Sequence, residues 1–394
     1  MLKKIPISAT PIKIIDILSS AKNIFKKEIP REFVKNFSSY INAKYVFFLN
    51  SGLSSFYIIL EALKTISGKT EVVLPAYTAA SLVLAIQKAG LKTVPCDISL
   101  TDFNMDSKSL DSAISKNTLC VLGTHLFGII DRNLIDLKKR YPDVFIIEDC
   151  AQSLGSKIGG RNTGSLGDIS FFSFNRGKNI PTYAGGCIAT NSKDLADKIA
   201  GQDKIFSRGC GVFERFIILI KLLAFAVAVR PHVYGFFYPL IANFKDITVA
   251  KDFEVKKYTS FQADLGISLL GKIDTISNRR YQVGMRLLNG LRGLKGVIIP
   301  EIPGNTQPAF NRFPIVLKDD KRIVEMERAL WRAGIETSRQ YVKPLHRFFD
   351  LGYNTDRFPN AEYFAGHLLA LPSHILISDA DLDRAVEVIK KIAG

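Results

Sequence analysis

A lysine set among glycines follows an apolar stretch in the middle of the chain. Residues 167–186 read GDISFFSFNRGKNIPTYAGG, so Lys178 comes after the strand-like run DISFFSF, directly follows Gly177 and precedes Gly185 and Gly186. A single lysine is most often a solvated surface residue. Glycines on both sides of Lys178 indicate a backbone that is shaped around a bound group, and this favours a chemical role for the lysine.

A carboxylate directly follows another strand candidate. Residues 145–156 read FIIEDCAQSLGS, and the apolar run before Asp149 is typical of a buried parallel strand. Ligands of α/β proteins bind at the carboxyl ends of such strands. Asp149 therefore needs either a bound cation or a structural role, such as a helix cap or an ion pair, and both interpretations stay open at this point.

The stretch LNSGLSS at residues 49–55 is a candidate anion site. A strand ends there, Ser51 and Gly52 form a turn, and a helix begins near Leu53. Free N–H groups at the start of a helix, together with the helix dipole, attract anions. Ser54 and Ser55 can add hydroxyl donors. Turns of this kind are also common where nothing binds.

Together, these three features are the protein groups that pyridoxal 5'-phosphate (PLP) requires. A lysine forms a Schiff base with the cofactor aldehyde. A carboxylate pairs with the protonated ring nitrogen and maintains the ring as an electron sink. The start of a helix holds the phosphate.

The elements that must position these residues alternate in type. From about residue 45, short apolar runs such as YVFFLN, VVLP and DVFIIEDC alternate with helical patterns, which predicts an α/β domain with a mostly parallel sheet. After about residue 255 a long helical stretch (roughly 257–292) leads into a smaller α+β region. We therefore predict a large domain at 1–255 and a small C-terminal domain at 256–394.

Composition excludes several classes of protein. The 394 residues are 23% charged and 47% hydrophobic, which excludes a disordered chain. The net charge of +16 suggests an anionic partner, but no basic-aromatic motif supports nucleic-acid binding. The five cysteines form no CxxC pair, so we expect neither a metal site nor disulfides. The N-terminus is a poor secretory signal, and we expect a cytoplasmic protein.

The segment 213–243 is unusually apolar. Its first run, residues 216–229, contains Lys221 and is about 21 Å long as a helix, which is too short to cross a bilayer. Two interpretations stay open: a buried hairpin or dimer contact, and a helix pair lying in a membrane interface. Basic residues flank the segment, which fits an anionic surface: Arg215, Lys221, Arg230 and Lys245.

An ordered set of motifs resembles the nucleotide-sugar aminotransferases of the DegT/StrS type. The cofactor core is similar in EDCAQSLGS, RNTGSLGDISFFSFNRGKN and AGGCIATN, and the order continues with NSGLSSF, LPAYTAAS, THLFG, SFQADLGISLL, GIETSRQYVKPLH, FPNAE and LPSH. The resemblance covers roughly residues 30–200 and 257–394. It implies a homodimeric PLP enzyme of fold type I, with a mixed, mostly parallel sheet in the large domain.

The resemblance also implies roles for individual residues. Lys178 would bind the cofactor covalently and shuttle the proton, Asp149 would bind the ring nitrogen, and Gln152 would lie near the phenolic oxygen. Four residues would hold the phosphate: Gly52, Leu53, Ser54 and Ser173. Three would lie beside the cofactor pocket or the substrate entrance: His125, Tyr341 and His346. A structural role for His125 is the competing interpretation.

The chain departs from the family pattern at three places. The position of the usual stacking aromatic is Ala79, so we predict that Tyr77 or its neighbours cover the cofactor. The stretch FEVKKYTS lacks the asparagine that reaches the phosphate of the partner subunit in many members. The apolar segment 213–243 replaces a shorter polar connection.

The resemblance implies an aminotransferase that moves an amino group, with glutamate as the donor, to a keto sugar on a nucleotide diphosphate. Cell-surface polysaccharide or glycoconjugate synthesis would be its purpose. One alternative is a PLP-dependent sugar dehydratase, although dehydrating relatives carry histidine in place of the lysine. Another is a membrane-associated aminotransferase that acts on a lipid-linked sugar.

Overall fold

The computed structural model describes residues 3–10, 12–242 and 252–394. Its strands are β1 (Tyr45–Leu49), β2 (Glu71–Pro75), β3 (Lys92–Cys96), β4 (Thr118–Thr124), β5 (Phe145–Asp149), β6 (Lys157–Ile158), β7 (Arg161–Asn162), β8 (Ile169–Ser173), β9 (Gly186–Thr190), β10 (Val297–Ile298), β11 (Thr306–Gln307), β12 (Phe313–Leu317) and β13 (Leu368–Leu371).

Helices cover the strands on both faces. They are α1 (Ile14–Ala21), α2 (Arg31–Ile41), α3 (Gly52–Lys64), α4 (Ser81–Lys88), α5 (Ser107–Ala113), α6 (Asn133–Arg140), α7 (Lys193–Phe206), α8 (Val212–Ala228), α9 (Pro231–Ala242), α10 (Ser260–Leu270), α11 (Ile273–Leu291), α12 (Ile323–Arg332), α13 (Pro359–His367) and α14 (Asp379–Ala393). Short 3-10 turns lie at Leu126–Gly128, Asp320–Arg322, Leu345–Arg347 and Thr355–Arg357.

The large sheet has seven strands in the order β1-β9-β8-β5-β4-β2-β3. β9 is antiparallel to both of its neighbours, and the pairs from β8 to β3 are parallel. The carboxyl ends of β1, β8, β5, β4 and β2 therefore lie along one edge. The predicted α/β class with a mixed, mostly parallel sheet is confirmed.

Two smaller sheets complete the architecture. One is antiparallel, with the order β10-β12-β13, and packs with α11, α12, α13 and α14 around a separate apolar core. The other consists of β11, β6 and β7. Because β11 belongs to the C-terminal part and β6 to the large part, this sheet ties the two parts together.

The predicted helical stretch over roughly 257–292 is two helices. α10 ends before Gly271, and Lys272 has the non-helical backbone angles φ −108° and ψ 1°. The break redirects the chain because the two helices bury their apolar sides in different cores. Phe261 and Leu265 pack with the aromatic cluster of α2, whereas Val283 and Leu287 pack with the small sheet.

The domain boundary at 255 stays a proposal, and the packing favours a later position. α10 packs on α1 and α2, so it belongs with the large sheet. The change from one core to the other falls within α11. The N-terminal residue Ile5 packs in the core of the small part and forms a parallel bridge with Ile335. Both ends of the chain therefore contribute to the small domain.

The apolar segment forms α8 and α9, which are separated at Val229–Arg230. Residue 243, at the end of the predicted segment, and Lys245 lie outside the described residues. None of the helices in the described ranges combines the length and apolar character that a bilayer-crossing helix needs.

Candidate active site

A cavity of about 710 Å³ lies at the carboxyl ends of the parallel strands. Its lining brings together all three features predicted from the sequence, namely the start of α3, Asp149 and Lys178. Most of the predicted site residues line it: Gly52, Leu53, His125, Asp149, Gln152, Ser173, Lys178 and Tyr341.

The start of α3 forms one wall of the cavity. Ser51 caps the helix, because its Oγ accepts the N–H of Ser54 at 3.0 Å. The N–H groups of Gly52 and Leu53 open the helix and have no partner inside it. Backbone donors in this position, aided by the helix dipole, suit a phosphate group.

Ser54 does not line the cavity, although it was predicted to hold the phosphate. Its side chain is fully buried, and its hydroxyl bonds to Ser51 Oγ at 2.8 Å and to the carbonyl of Glu254 at 3.2 Å. The side chain at the third position of the helix points back beneath the turn, so Ser54 supports the helix cap. Ser51 lines the cavity where Ser54 was expected.

Two close backbone approaches fix the position of this helix start. A Cβ on Gly52 would lie 3.2 Å from Ser173 Cβ and 3.3 Å from the carbonyl oxygen of Phe172. A Cβ on Gly186 would lie 2.3 Å from the carbonyl carbon and oxygen of Ser51, closer than real Cβ atoms approach. The glycine after the lysine turn is therefore required for packing against the helix start.

Asp149 ends β5 with its carboxylate at the cavity. Its Oδ1 accepts the N–H of Ala151 at 2.8 Å. Burial raises the pKa of Asp149, and the Ala151 hydrogen bond and the positive charge of Lys178 oppose this rise. The ionised carboxylate thus depends on a nearby cation for its stability.

Lys178 lies on a rigid turn after β8. Gly177 adopts φ +76°, which a residue with a side chain rarely adopts, and its carbonyl accepts Asn311 Nδ2 at 2.6 Å. The carbonyl of Lys178 accepts the hydroxyl of Thr10 at 3.0 Å. One segment near the N-terminus and one from the C-terminal part therefore fix the lysine backbone.

The electrostatic surroundings of Lys178 favour a reactive amine. Burial lowers the pKa of Lys178 to about 8, Asp149 opposes this shift, and the charge of Arg312 adds to it. At pH 7 about a tenth of the amine is therefore uncharged, far more than for an ordinary lysine, and the uncharged amine is the nucleophilic form.

His125 is held in one tautomer by its neighbours. Its Nδ1 accepts the N–H of Asp131 at 3.1 Å, so the ring proton lies on Nε2, which faces Glu148 Oε2 at 3.1 Å. Glu148 is fully buried and also accepts three backbone N–H groups, from Gly164, Leu166 and Gly167, at 2.6 to 2.8 Å. His125 therefore has structural partners and also lines the cavity.

The same partners leave few lone pairs for a metal ion at His125 and Glu148, which lie near Cys150. The possible ligand atoms of these three residues lie within 4.8 Å of one another. Protein hydrogen bonds already occupy the lone pairs of Glu148 and the acceptor nitrogen of His125. The cluster is a hydrogen-bonded support beneath the cavity.

Gln152 and Tyr341 join the two parts of the molecule at the cavity. Gln152 Oε1 accepts the N–H of Phe127 at 3.1 Å, and its Nε2 donates to the hydroxyl of Tyr341 at 3.3 Å. Burial raises the pKa of Tyr341, and Asp149 raises it further. Tyr341 therefore remains a neutral hydrogen-bonding group at physiological pH.

The structure does not bring two of the predicted residues, Tyr77 and His346, into the cavity lining. Tyr77 is fully buried outside the cavity lining, where its ring contacts Phe364 at 4.8 Å and its hydroxyl accepts the N–H of Tyr341. The wall of the cavity at this loop is formed by Thr78 and Ala79. In this structure the side chain of Tyr77 points into the core between the two parts of the chain, away from the cavity.

His346 also lies away from the cavity lining. Its side chain is 1% exposed and its Nε2 lies 2.8 Å from Glu362 Oε1. The ring packs against Phe358 at 5.1 Å. The 3-10 turn at Leu345–Arg347 directs the histidine into the small domain, and a linear motif does not reveal that direction.

Sequence reasoning missed the wall formed by residues 252–254. Asn50 holds it, because its Nδ2 donates to the carbonyl of Glu254 at 2.9 Å and its Oδ1 accepts the N–H of Lys256 at 3.0 Å. The carboxylate of Asp252 pairs with Lys88, and the carboxylate of Glu254 pairs with Arg208 and Lys256. Asn50, which directly follows β1, was the sequence feature that could have indicated this wall.

The residues of the cavity fit PLP. The start of α3 offers backbone donors for the phosphate, and Lys178 offers an amine for the aldehyde. The decisive observation is Asp149, a carboxylate that burial destabilises and that a protonated ring nitrogen would stabilise.

Known proteins are similar over nearly the whole chain. A sequence model of the DegT/DnrJ/EryC1/StrS aminotransferase family matches residues 13–390. The chain is 26% identical to the spore coat polysaccharide biosynthesis protein SpsC of Bacillus subtilis, over 92% of this chain and 89% of that protein. It is also 26% identical to GDP-perosamine synthase of Caulobacter vibrioides, over the same shares of the two chains.

Solved structures share the fold. Spr1654 from Streptococcus pneumoniae, solved in a PLP form, has a TM-score of 0.77 and 21% identity, and the match covers 99% of this chain and 98% of that chain. At this identity the comparison shows the fold, and it agrees with the fold predicted from the sequence motifs.

Proposed function

The chain belongs to the DegT/DnrJ/EryC1/StrS aminotransferase family, and from this membership we propose that it aminates a keto sugar carried on a nucleotide diphosphate. The predictions of a PLP-dependent aminotransferase and of PLP as its cofactor are confirmed at the level of the family. Glutamate is the proposed amino donor. Cell-surface polysaccharide or glycoconjugate synthesis is the proposed purpose, in line with the names of the two relatives.

One observation carries the proposal. The start of α3, the carboxylate of Asp149 and the amine of Lys178 line one cavity at the carboxyl edge of the sheet. The three groups together span more than 120 residues of the sequence, from Gly52 to Lys178. A protein that has this fold without the chemistry of PLP would not need these three groups in one cavity.

The residues of the chain divide the chemical work. PLP, when bound, supplies the electron sink that transamination needs. Asp149 would maintain the charge of the ring nitrogen, and the backbone donors of Gly52 and Leu53 would hold the phosphate. Lys178, whose pKa lies at about 8, can accept and return a proton near neutral pH. Gln152 and Tyr341 are hydrogen-bonded to each other, and they would orient the cofactor and the substrate that bind beside them in the cavity.

The charge of the molecule supports a diphosphate substrate. The formal net charge is +16, which attracts anions over distances of about a Debye length. The lining itself is not basic, since Lys178 is the one lysine or arginine among the described residues that line the cavity. The net charge therefore attracts an anionic substrate as it approaches the protein. To bind the diphosphate in the cavity, the enzyme needs further hydrogen-bond donors or cations.

The proposal is tested by two half-reactions on the purified holoenzyme. Adding L-glutamate should remove the visible absorption band of bound PLP, and adding a nucleotide diphosphate keto sugar should restore it. Lys178→Ala should show neither change, because no other amine among the described residues lines the cavity. Borohydride reduction followed by peptide mapping should place the cofactor on Lys178 in the wild type.

Other results would assign a different activity. An adduct on another lysine would contradict the role of Lys178. Release of a deoxygenated sugar without an amino group would identify a dehydratase, which the presence of Lys178 argues against. Recovery of the band with a lipid-linked keto sugar alone would identify the second candidate acceptor, which the exposed apolar residues of α8 favour.

A further inference from the structure

An exposed apolar face is formed by α1, the turn after it and α8. We define the apolar face by Ile15, Leu18, Phe25, Phe213, Phe216 and Ile220, each at least 40% exposed. The rings of Phe25 and Phe216 are 5.9 Å apart, and α1 packs directly on α8. The six side chains therefore lie on neighbouring elements, and together they expose more apolar surface than the isolated apolar residues of an ordinary protein surface.

The helical spacing shows that the outer side of α8 is apolar. Phe213, Phe216 and Ile220 follow one another at intervals of three and four residues, and Val227 continues the stripe one heptad later. The opposite side of the helix buries Leu222 and Ala226. A surface helix usually places polar residues on its outer side, so this stripe requires a partner that accepts apolar groups.

The apolar face is built into the fold and held in place. Arg215 is 8% exposed, and its guanidinium donates to the carbonyls of Ile24 and Lys26 at 2.9 Å and of Cys210 at 3.1 Å. This residue, predicted as a flanking surface cation, instead joins α8 to the turn that carries Phe25. The apolar side chains are therefore presented in a fixed arrangement.

The elements that form the apolar face, and the residues beside them in sequence, also carry lysines. Five are exposed: Lys13, Lys22, Lys26, Lys27 and Lys221. The acidic residues of the same elements are mostly compensated, since Asp16 pairs with Lys272 at 2.9 Å and Glu214 pairs with Lys256 at 2.5 Å. Glu28 is the remaining acidic residue of the turn and is exposed. This part of the surface therefore carries net positive charge.

The charge decides between the two possible partners. A twofold contact between copies would bring the same surface of each copy together, and therefore the lysines of both copies as well. A bilayer with anionic lipids buries the apolar side chains and pairs the lysines with headgroups at the same time. We propose that the apolar face docks into the headgroup region of an anionic lipid bilayer, with α8 lying in the plane of the interface.

The proposal does not depend on which sugar the enzyme aminates. It does connect to the cavity, because Lys256, the ion-pair partner of Glu214 on α8, follows the wall residue Glu254 and pairs with it as well. Docking through α8 would thus place one wall of the cavity close to the membrane surface.

Flotation of the holoenzyme with vesicles tests the proposal. Wild type should float with vesicles of phosphatidylcholine and phosphatidylglycerol, and not with phosphatidylcholine alone. Phe213→Glu and Ile220→Glu should abolish flotation. Val324→Glu is the matched control, because Val324 is 48% exposed on α12 of the small domain, and this variant should float like wild type. Each of Lys26→Gln and Lys27→Gln should lower partitioning about fivefold.

Two outcomes would overturn the proposal. One is wild type that stays unbound to the anionic vesicles at low salt. The other is equal flotation of wild type and Phe213→Glu. If, in either case, light scattering shows that Ile220→Glu lowers the molecular mass, the apolar face is a contact between copies. The visible absorption of bound PLP in every variant confirms that each has folded.

Discussion

Lys178 and Asp149 depend on each other for their charge states. Burial lowers the pKa of Lys178 to about 8 and raises that of Asp149, and each charge stabilises the other. The folded pKa of Lys178 lies below the usual 10.5, so between these values the amine is neutral in the folded protein and charged in the unfolded chain. Folded stability from this group therefore rises with pH across that window.

We predict that Lys178 in the cofactor-free protein titrates with a midpoint near pH 8. Isotope-labelled reductive methylation and NMR would follow the amine, and its signal is the one missing from Lys178→Ala. In Asp149→Asn the midpoint should fall further, since the carboxylate supports the charged form. A midpoint near the ordinary lysine value would show that the amine is solvated.

Asp149→Asn should lower turnover at least ~10²-fold, comparable to the loss of one strong electrostatic contact in an active site. The amide oxygen can still accept the N–H of Ala151, so the local backbone should be unchanged. Steady-state rates with glutamate, together with the amount of PLP retained, give the measurement. Near-normal turnover would mean that the carboxylate is structural.

At the scale of residues, the sequence revealed positions but not directions. Lys178 and Asp149 follow apolar strands, and the carboxyl edge of a parallel sheet brings such residues together. Tyr77 and His346 also lie close in sequence to residues that line the cavity. Their side chains point into the core because φ and ψ of the intervening loop set the direction, and no periodic pattern reports those angles.

At the scale of elements, the contact between β9 and the start of α3 positions the proposed phosphate site. Gly186 opens β9 directly against Ser51 and Gly52. This contact could not be predicted, because β9 reaches the helix start only through the strand order of the sheet. The alternating strands and helices themselves were predictable from apolar periodicity.

Gly186→Ala should displace the start of α3 and weaken PLP binding at least about tenfold. The added Cβ would lie 2.3 Å from the backbone of Ser51, and overpacking of this kind costs about 1–3 kcal/mol. Gly201→Ala is the matched control, because Gly201 lies within α7 with nothing within 4 Å of the added Cβ. That variant should be more stable by about 0.5–1 kcal/mol.

The comparison of the two variants is made by PLP titration and by urea unfolding. Equal PLP affinity in Gly186→Ala and wild type would show that the helix start tolerates displacement. A loss of affinity in Gly201→Ala would point to a general effect of alanine substitution.

At the scale of the whole molecule, the charge is distributed unevenly between surface and site. The lining holds the carboxylates of Asp149, Asp252 and Glu254 against one lysine. Lys88 pairs with Asp252, and Arg208 and Lys256 pair with Glu254. Because Lys256 also pairs with Glu214, these three cations face three carboxylates and leave no surplus positive charge at the cavity. A cofactor phosphate and a nucleotide diphosphate together would bring several negative charges to this lining.

The cavity of one chain lacks the cations that a diphosphate would need, and this supports the homodimer predicted from the resemblance. A second copy with a net charge of +16 can supply basic side chains at the open side of the cavity. The stretch FEVKKYTS, which lacks the expected asparagine, lies along Asn50 of its own chain, so another part of the partner would have to make this contact. We therefore predict a dimer whose cavities are completed across the subunit contact.

Light scattering of the holoenzyme should give a mass of about 88 kDa, which is twice the chain mass of 43.8 kDa. On dilution, activity and mass should fall together, because a separated subunit would lose the cations that bind the diphosphate. Ile220→Glu should keep the dimer mass, since the apolar face is assigned to lipid and the contact between copies lies at the cavity. A monomer with full activity would exclude the dimer and would require the diphosphate site to lie within one chain.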